Sequence, residues 1–165
     1  MVSTITLVII CFSLLIAFFL VTVKTKNRLG NILLALYFIV FAIHISVFFY
    51  IKFFEFPLSI EILRNDTIEL SSPLLFLYLL SNIYSNFKLR KIHLLHLLPL
   101  ITSLLIFSPV FYESLTGGDP PRIDKFNHIT KIGYVISTLT TIFYLALMFI
   151  ELDKYKKLLN ENYSD

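Results

Sequence analysis

The chain has 165 residues, enough for one domain, with 57% hydrophobic and only 15% charged residues. An ordinary globular chain carries about 25% charged residues, so this composition, with a mean hydropathy of +0.81, excludes a typical water-soluble fold and implies a surface that largely faces lipid. The net charge of +3 is small and scattered, which argues against a nucleic-acid surface, and the single cysteine, Cys11, leaves no disulfide framework or cysteine metal site.

Thr4 to Val23 is one uncharged apolar run of 20 residues, the length a helix needs to cross a bilayer. No Lys or Arg precedes it and no small-residue cleavage site ends it, so it reads as a permanent first span rather than a cleaved signal. A basic turn follows (Lys24, Lys26, Arg28), with Gly30 helping the chain to reverse, and Ile32 to Ile51 forms a second span interrupted only by His44. Glu55 to Glu69 is a polar connection broken at Pro57. Its apolar Leu58, Ile60, Ile62 and Leu63 suit either an interfacial segment or the first turns of the next helix. The Asn65-Asp66-Thr67 glycosylation triplet carries no weight, because such triplets are common by chance.

The third span, 68–84, contains Pro73. Ser72-Pro73 is also a fair helix start, with Ser as cap and Pro at the first helical position. A helix from Pro73 to Tyr84 would rise only about 18 Å, short of the roughly 30 Å hydrocarbon core. Either the helix begins earlier and kinks at Pro73, or an irregular, protein-buried segment caps a short helix. Lys88, Arg90 and Lys91 form the next basic turn. Ile92 to Tyr112 is the fourth span, with Pro99 and Pro109 inside and a kink expected at Pro99. Glu113 to Lys131 is the longest loop, broken by Gly117-Gly118-Asp119-Pro120-Pro121. Ile132 to Ile150 is the fifth span, and the charged 152–165 segment reads as a juxtamembrane helix. The fold class is therefore all-α: a polytopic membrane bundle of five spans over residues 1–151, near 4–23, 32–51, 68–84, 92–112 and 132–150. With the N-terminus outside, the inner segments carry nine Lys and Arg residues (Lys24, Lys26, Arg28, Lys88, Arg90, Lys91, Lys154, Lys156, Lys157). The outer segments carry five (Lys52, Arg64, Arg122, Lys125, Lys131). The positive-inside rule then places the N-terminus outside and the C-terminus inside.

His44 stands well inside a span, where ionisable residues are functional candidates by default. The structural alternative is a neutral imidazole bonded to a hydroxyl of a neighbouring helix, and no carboxylate shares a span with it. His93 and His96, three apart, share a helix face and lack an evident further metal ligand. One polar stripe runs through Ser71, Tyr78, Asn82 and Ser85, and another through Tyr134, Ser137, Thr138, Thr141 and Tyr144. Either stripe could line a ligand cavity or form a hydrogen-bonded seam between helices. The ligand-binding candidates are thus His44, Tyr78, Asn82, His96, Tyr134, Thr138 and Thr141. No nucleophile elbow, phosphate loop or pair of carboxylates within a span is present. The expectation is a non-enzyme with no cofactor and no metal.

The stretch SPLLFLYLLS, a basic turn and HLLHLLPLI resembles the membrane part of bacterial membrane-bound AraC-type transcriptional regulators. Pro73, Leu74, Leu75 and Tyr78 match the family's "GPLLYLY"-like span, and Leu95, His96 and Pro99 its "LLHFLP"-like helix start. The segment Tyr155 to Ser164 is similar to the family's juxtamembrane region. Ser72 stands where the family has Gly, and the family's two further spans and helix-turn-helix domain are missing before Asp165. The resemblance implies a sensor or anchor domain of the bacterial inner membrane, truncated before its DNA-binding output. Its partners would be the lipid bilayer, optionally a second copy in a homodimer, and DNA only through the missing domain. The alternatives are a small permease or channel subunit, or the membrane part of a sensor histidine kinase.

Overall fold

A computed structural model describes residues 2–116 and 127–163. Among these residues seven α-helices occur in chain order: α1 (Val2–Thr22), α2 (Arg28–Ile45), α3 (Val47–Tyr50), α4 (Leu58–Asp66), α5 (Ser71–Ile83), α6 (Leu98–Leu115) and α7 (Asn127–Tyr163). Tight 3-10 turns at Thr67–Leu70 and Lys91–Leu97 lead into α5 and α6, and no strand occurs among the described residues.

Among the described residues four stretches are long and apolar enough to cross a membrane: Val2–Thr22, Arg28–Tyr50, Lys91–Leu115 and His128–Glu161. They coincide with four of the five expected spans, and their exposed residues include Phe12, Leu15, Phe18, Phe19, Leu105 and Phe149. Outward-facing apolar side chains of this kind are compatible with a lipid surround. The expected span 68–84 is not among the four, because α5 has only 13 residues.

The segment around Pro73 is nevertheless helical well before the proline. Nine residues of α4, four of the 3-10 turn and 13 of α5 follow one another with helical backbone at each junction. The polar connection therefore supplies the first turns of a composite rod. Leu58, Ile62, Asp66 and Glu69 recur at helical spacing along it, and Pro57, in extended backbone, precedes its first turn. Ser72 does not cap α5, since Leu70 holds that position in helical backbone without a side-chain bond. The tight turn directly precedes Pro73, which has no N–H to bond the carbonyl of Glu69.

This rod occupies the middle of the bundle. α2 packs along α5 and the 3-10 turn, α6 along α4, and α7 along both α5 and α6, with α1 outside on α2. The buried residues of α1 are small (Thr6, Ser13, Ala17), and α2, against which it packs, buries the small residues Ala35 and Ala42. Small residues let helix backbones approach closely where lipid offers no hydrophobic contrast. Pro99 lies in the first turn of α6, where a missing N–H costs little, and the change from 3-10 to α geometry falls just before it. The Gly117–Pro121 break lies outside the described residues. α7 runs unbroken for 37 residues, so the fifth span and the juxtamembrane segment are one helix as far as Tyr163.

Candidate functional site

Arg64 organises the end of the bundle where α2 and α4 meet. Its guanidinium pairs with Glu61 Oε2 at 2.9 Å, one turn earlier on α4. Nη1 also donates to the carbonyl of His44 at 2.6 Å, satisfying an orphan acceptor in the last turn of α2. The Tyr50 hydroxyl donates to the other Glu61 oxygen, and the Tyr50 ring packs against Phe54 and Phe56. At the start of α4, the Ser59 N–H donates to Ser114 Oγ of α6 at 3.0 Å. Arg64 is thus an internal clamp with a 14% exposed side chain, not the solvated loop charge its sequence position suggests.

Beside this clamp lies a polar cavity of about 320 Å³ between α2, the rod, α6 and α7. Its walls include His44, Asp66, Glu69, Ser103, Phe107, Gly133, Tyr134 and Ser137. Asp66 is only 2% exposed. A side-chain hydrogen bond links it to Ser103, yet its Oδ2 is buried with no partner. His44 Nδ1 is likewise buried and unpartnered. Gly133 makes room for the cavity wall: a Cβ there would lie 2.9 Å from two ring carbons of Phe107. A buried carboxylate is costly unless it is hydrogen-bonded and paired. The arrangement can therefore hold a proton or a cationic ligand.

Of the residues expected to bind a ligand, His44 and Tyr134 line this cavity. Ser137 lines it as well, whereas Thr138 and Thr141 are exposed and lie outside its walls. Thr138 bonds back to the carbonyl of Tyr134 at 2.8 Å. Asn82 belongs to a seam with the start of α2, where Asn27 Nδ2 donates to Asn82 Oδ1 at 3.2 Å and to the Ser81 carbonyl at 2.9 Å. Tyr78 takes part through its carbonyl, which accepts from Ser81 and Asn82.

His96 lies at the other end of the bundle. Its Nδ1 is 2.8 Å from the hydroxyl of buried Tyr144, and both rings pack on Phe76. His93 Nδ1 accepts from the Arg90 N–H at 2.8 Å. No group of three or more His, Cys, Asp or Glu side chains suited to a metal occurs among the described residues. A larger, mostly apolar groove of about 550 Å³ runs beside His96 between α6 and α7.

Sequence reasoning passed over Asp66, Glu69 and Ser103. Asp66 and Glu69 stood in a segment taken as a connection; no carboxylate shares the span of His44, and these two reach its cavity from the rod. The available signal was their spacing of three, in line with Leu58 and Ile62.

No protein-family model, curated protein or solved structure matches the chain. Fold and site together define a membrane-type helix bundle with a polar, carboxylate-bearing cavity between its helices.

Proposed function

We propose that the chain is the membrane-embedded sensor and anchor part of a bacterial signalling protein, similar to that of AraC-type regulators. In this reading it lies in the inner membrane with its N-terminus outside. One observation carries the proposal: α7 contributes Tyr134 and Ser137 to the cavity and continues without interruption through the charged segment to Tyr163. At 1.5 Å per residue this helix is about 55 Å long, so a rigid element joins the cavity to the end at which an output domain would attach. Occupancy that favours one packing of α7 would shift the population of states sensed at that end.

The rod of α4, the 3-10 turn and α5 serves as the third of five crossings. Its roughly 40 Å length exceeds the hydrocarbon thickness of about 30 Å, and of its charged residues Asp66 is buried and Glu61, Arg64 and Glu69 are partly buried. Internalisation of Arg64 removes one cation from the outer side of the charge comparison, which supports the N-outside orientation.

The test is a dimerisation-dependent transcriptional reporter fused after Asp165. Ser137→Leu, which fills the cavity, should change reporter output several-fold at equal membrane abundance. Unchanged output in this variant and under envelope stress or altered lipid composition would reject the sensor reading. The unpartnered His44 Nδ1 at the cavity wall favours a second reading, a small permease or channel subunit. That reading requires a solute or proton flux in proteoliposomes that His44→Ala abolishes, and it is lost if the wild type conducts nothing.

A further inference from the structure

Two carboxylates, Asp66 and Glu69, stand three residues apart on the central rod and line one cavity. Among the described residues neither forms a salt bridge. Arg64 is the neighbouring cation on the rod, and its guanidinium is committed to Glu61 and the His44 carbonyl. Asp66 is 98% buried (2% exposed), and its Oδ2 has no partner. The buried His44 Nδ1 has none either. These groups offer acceptors to a donor that the described residues do not supply. A metal ion would need more ligands of its own kind than the site assembles. An ammonium group provides several N–H donors and a positive charge, and the Phe107 and Tyr134 rings in the cavity wall suit both a cation and its apolar body. A volume of about 320 Å³ lies at the lower end of the range for small-molecule pockets, about 300–1,000 Å³.

We infer that this cavity is a binding site for a small primary ammonium compound, with Asp66 as its principal counter-ion and Glu69 and His44 as further acceptors. The inference deepens the sensor reading by naming its ligand class, and it rests on that reading only for the consequence of binding. The ammonium group could belong to a soluble amine or to an ethanolamine lipid headgroup.

The experiment is calorimetric titration of the full chain in phosphatidylcholine nanodiscs. Benzylamine is compared with its neutral near-isostere, benzyl alcohol. Benzylamine should bind about tenfold or more tightly, as expected for a charge-assisted contact in a buried site. Asp66→Asn should remove that preference, Glu69→Gln should reduce it, and Glu113→Gln, outside the cavity, should leave it intact. Equal affinity of the wild type for the two compounds would overturn the inference whatever the variants do, as would an undiminished preference in folded Asp66→Asn. Repeating the titration with phosphatidylethanolamine in the nanodisc assigns the source. Weakened benzylamine binding supports the site with the lipid headgroup as ligand, and unchanged binding supports it with a soluble amine. Binding is read without any output domain, so its failure leaves the sensor reading standing, and a silent reporter leaves the ammonium site standing.

Discussion

Gly30 is the position where a single methyl group tests the packing of α2 against the central rod. It occupies the first turn of α2, where its N–H donates to Asn27 Oδ1 at 2.9 Å, the side-chain cap of that helix. A Cβ at Gly30 would lie 2.6 Å from Asn27 Nδ2, 2.9 Å from Asn27 Cγ and 2.8 Å from Ser81 Oγ of α5. Gly30→Ala must therefore displace the Asn27 side chain and crowd the Ser81 hydroxyl of α5. Loss of the cap costs about 1 kcal/mol. Loss of the bond from Asn27 Nδ2 to the Ser81 carbonyl costs about 0.5–1.5 kcal/mol, and overpacking against Ser81 costs about 1–3 kcal/mol. The better helix propensity of Ala returns at most about 1 kcal/mol. A net destabilisation of about 1.5–5.5 kcal/mol follows from these terms. Reversible unfolding in mixed micelles with increasing SDS, followed by far-UV circular dichroism, would measure it. In an Asn27→Ala background the same substitution should cost about 1.5–2.5 kcal/mol less, because the cap and the bond to the Ser81 carbonyl are already absent. A neutral or stabilising Gly30→Ala, with no coupling to Asn27, would refute the close approach of α2 and α5.

Three further outcomes follow from the contacts. Arg64→Met keeps the stem but strands Glu61 and the His44 carbonyl, so stability should fall by about 2–4 kcal/mol. Adding Glu61→Gln should recover part of that loss in the same SDS titration. Gly133→Ala brings a methyl group to 2.9 Å from the Phe107 ring. It should lower the thermal midpoint by an amount equivalent to about 1–2 kcal/mol and weaken benzylamine binding by narrowing the cavity. A double-mutant cycle on His96→Ala and Tyr144→Phe should give a coupling of about 0.6–1.7 kcal/mol, the range for interhelical hydrogen bonds in membranes. Zero coupling would mean that the 2.8 Å contact contributes nothing.

The all-helical class of this protein and four helices long and apolar enough to cross a membrane were legible in the order of its residues. Uninterrupted apolar runs report on a helix's environment without reference to any partner. Asn82 was also identifiable as a polar group at helical spacing, although the choice between seam and cavity was open, and His96 stood out with His93 as a pair three apart. The central rod was hidden from the same reasoning, because Glu61, Arg64, Asp66 and Glu69 make it read as a connection. Only the tertiary structure shows that Arg64 and Glu61 neutralise one another while Asp66 and Glu69 line an internal cavity. The cavity itself was not legible, since His44, Asp66, Ser103 and Ser137 come from segments separated by tens of residues. Hydropathy is a local property of consecutive side chains and can be summed along a window. Charge compensation and enclosure depend on which helix faces meet, and that is decided by packing of the whole bundle.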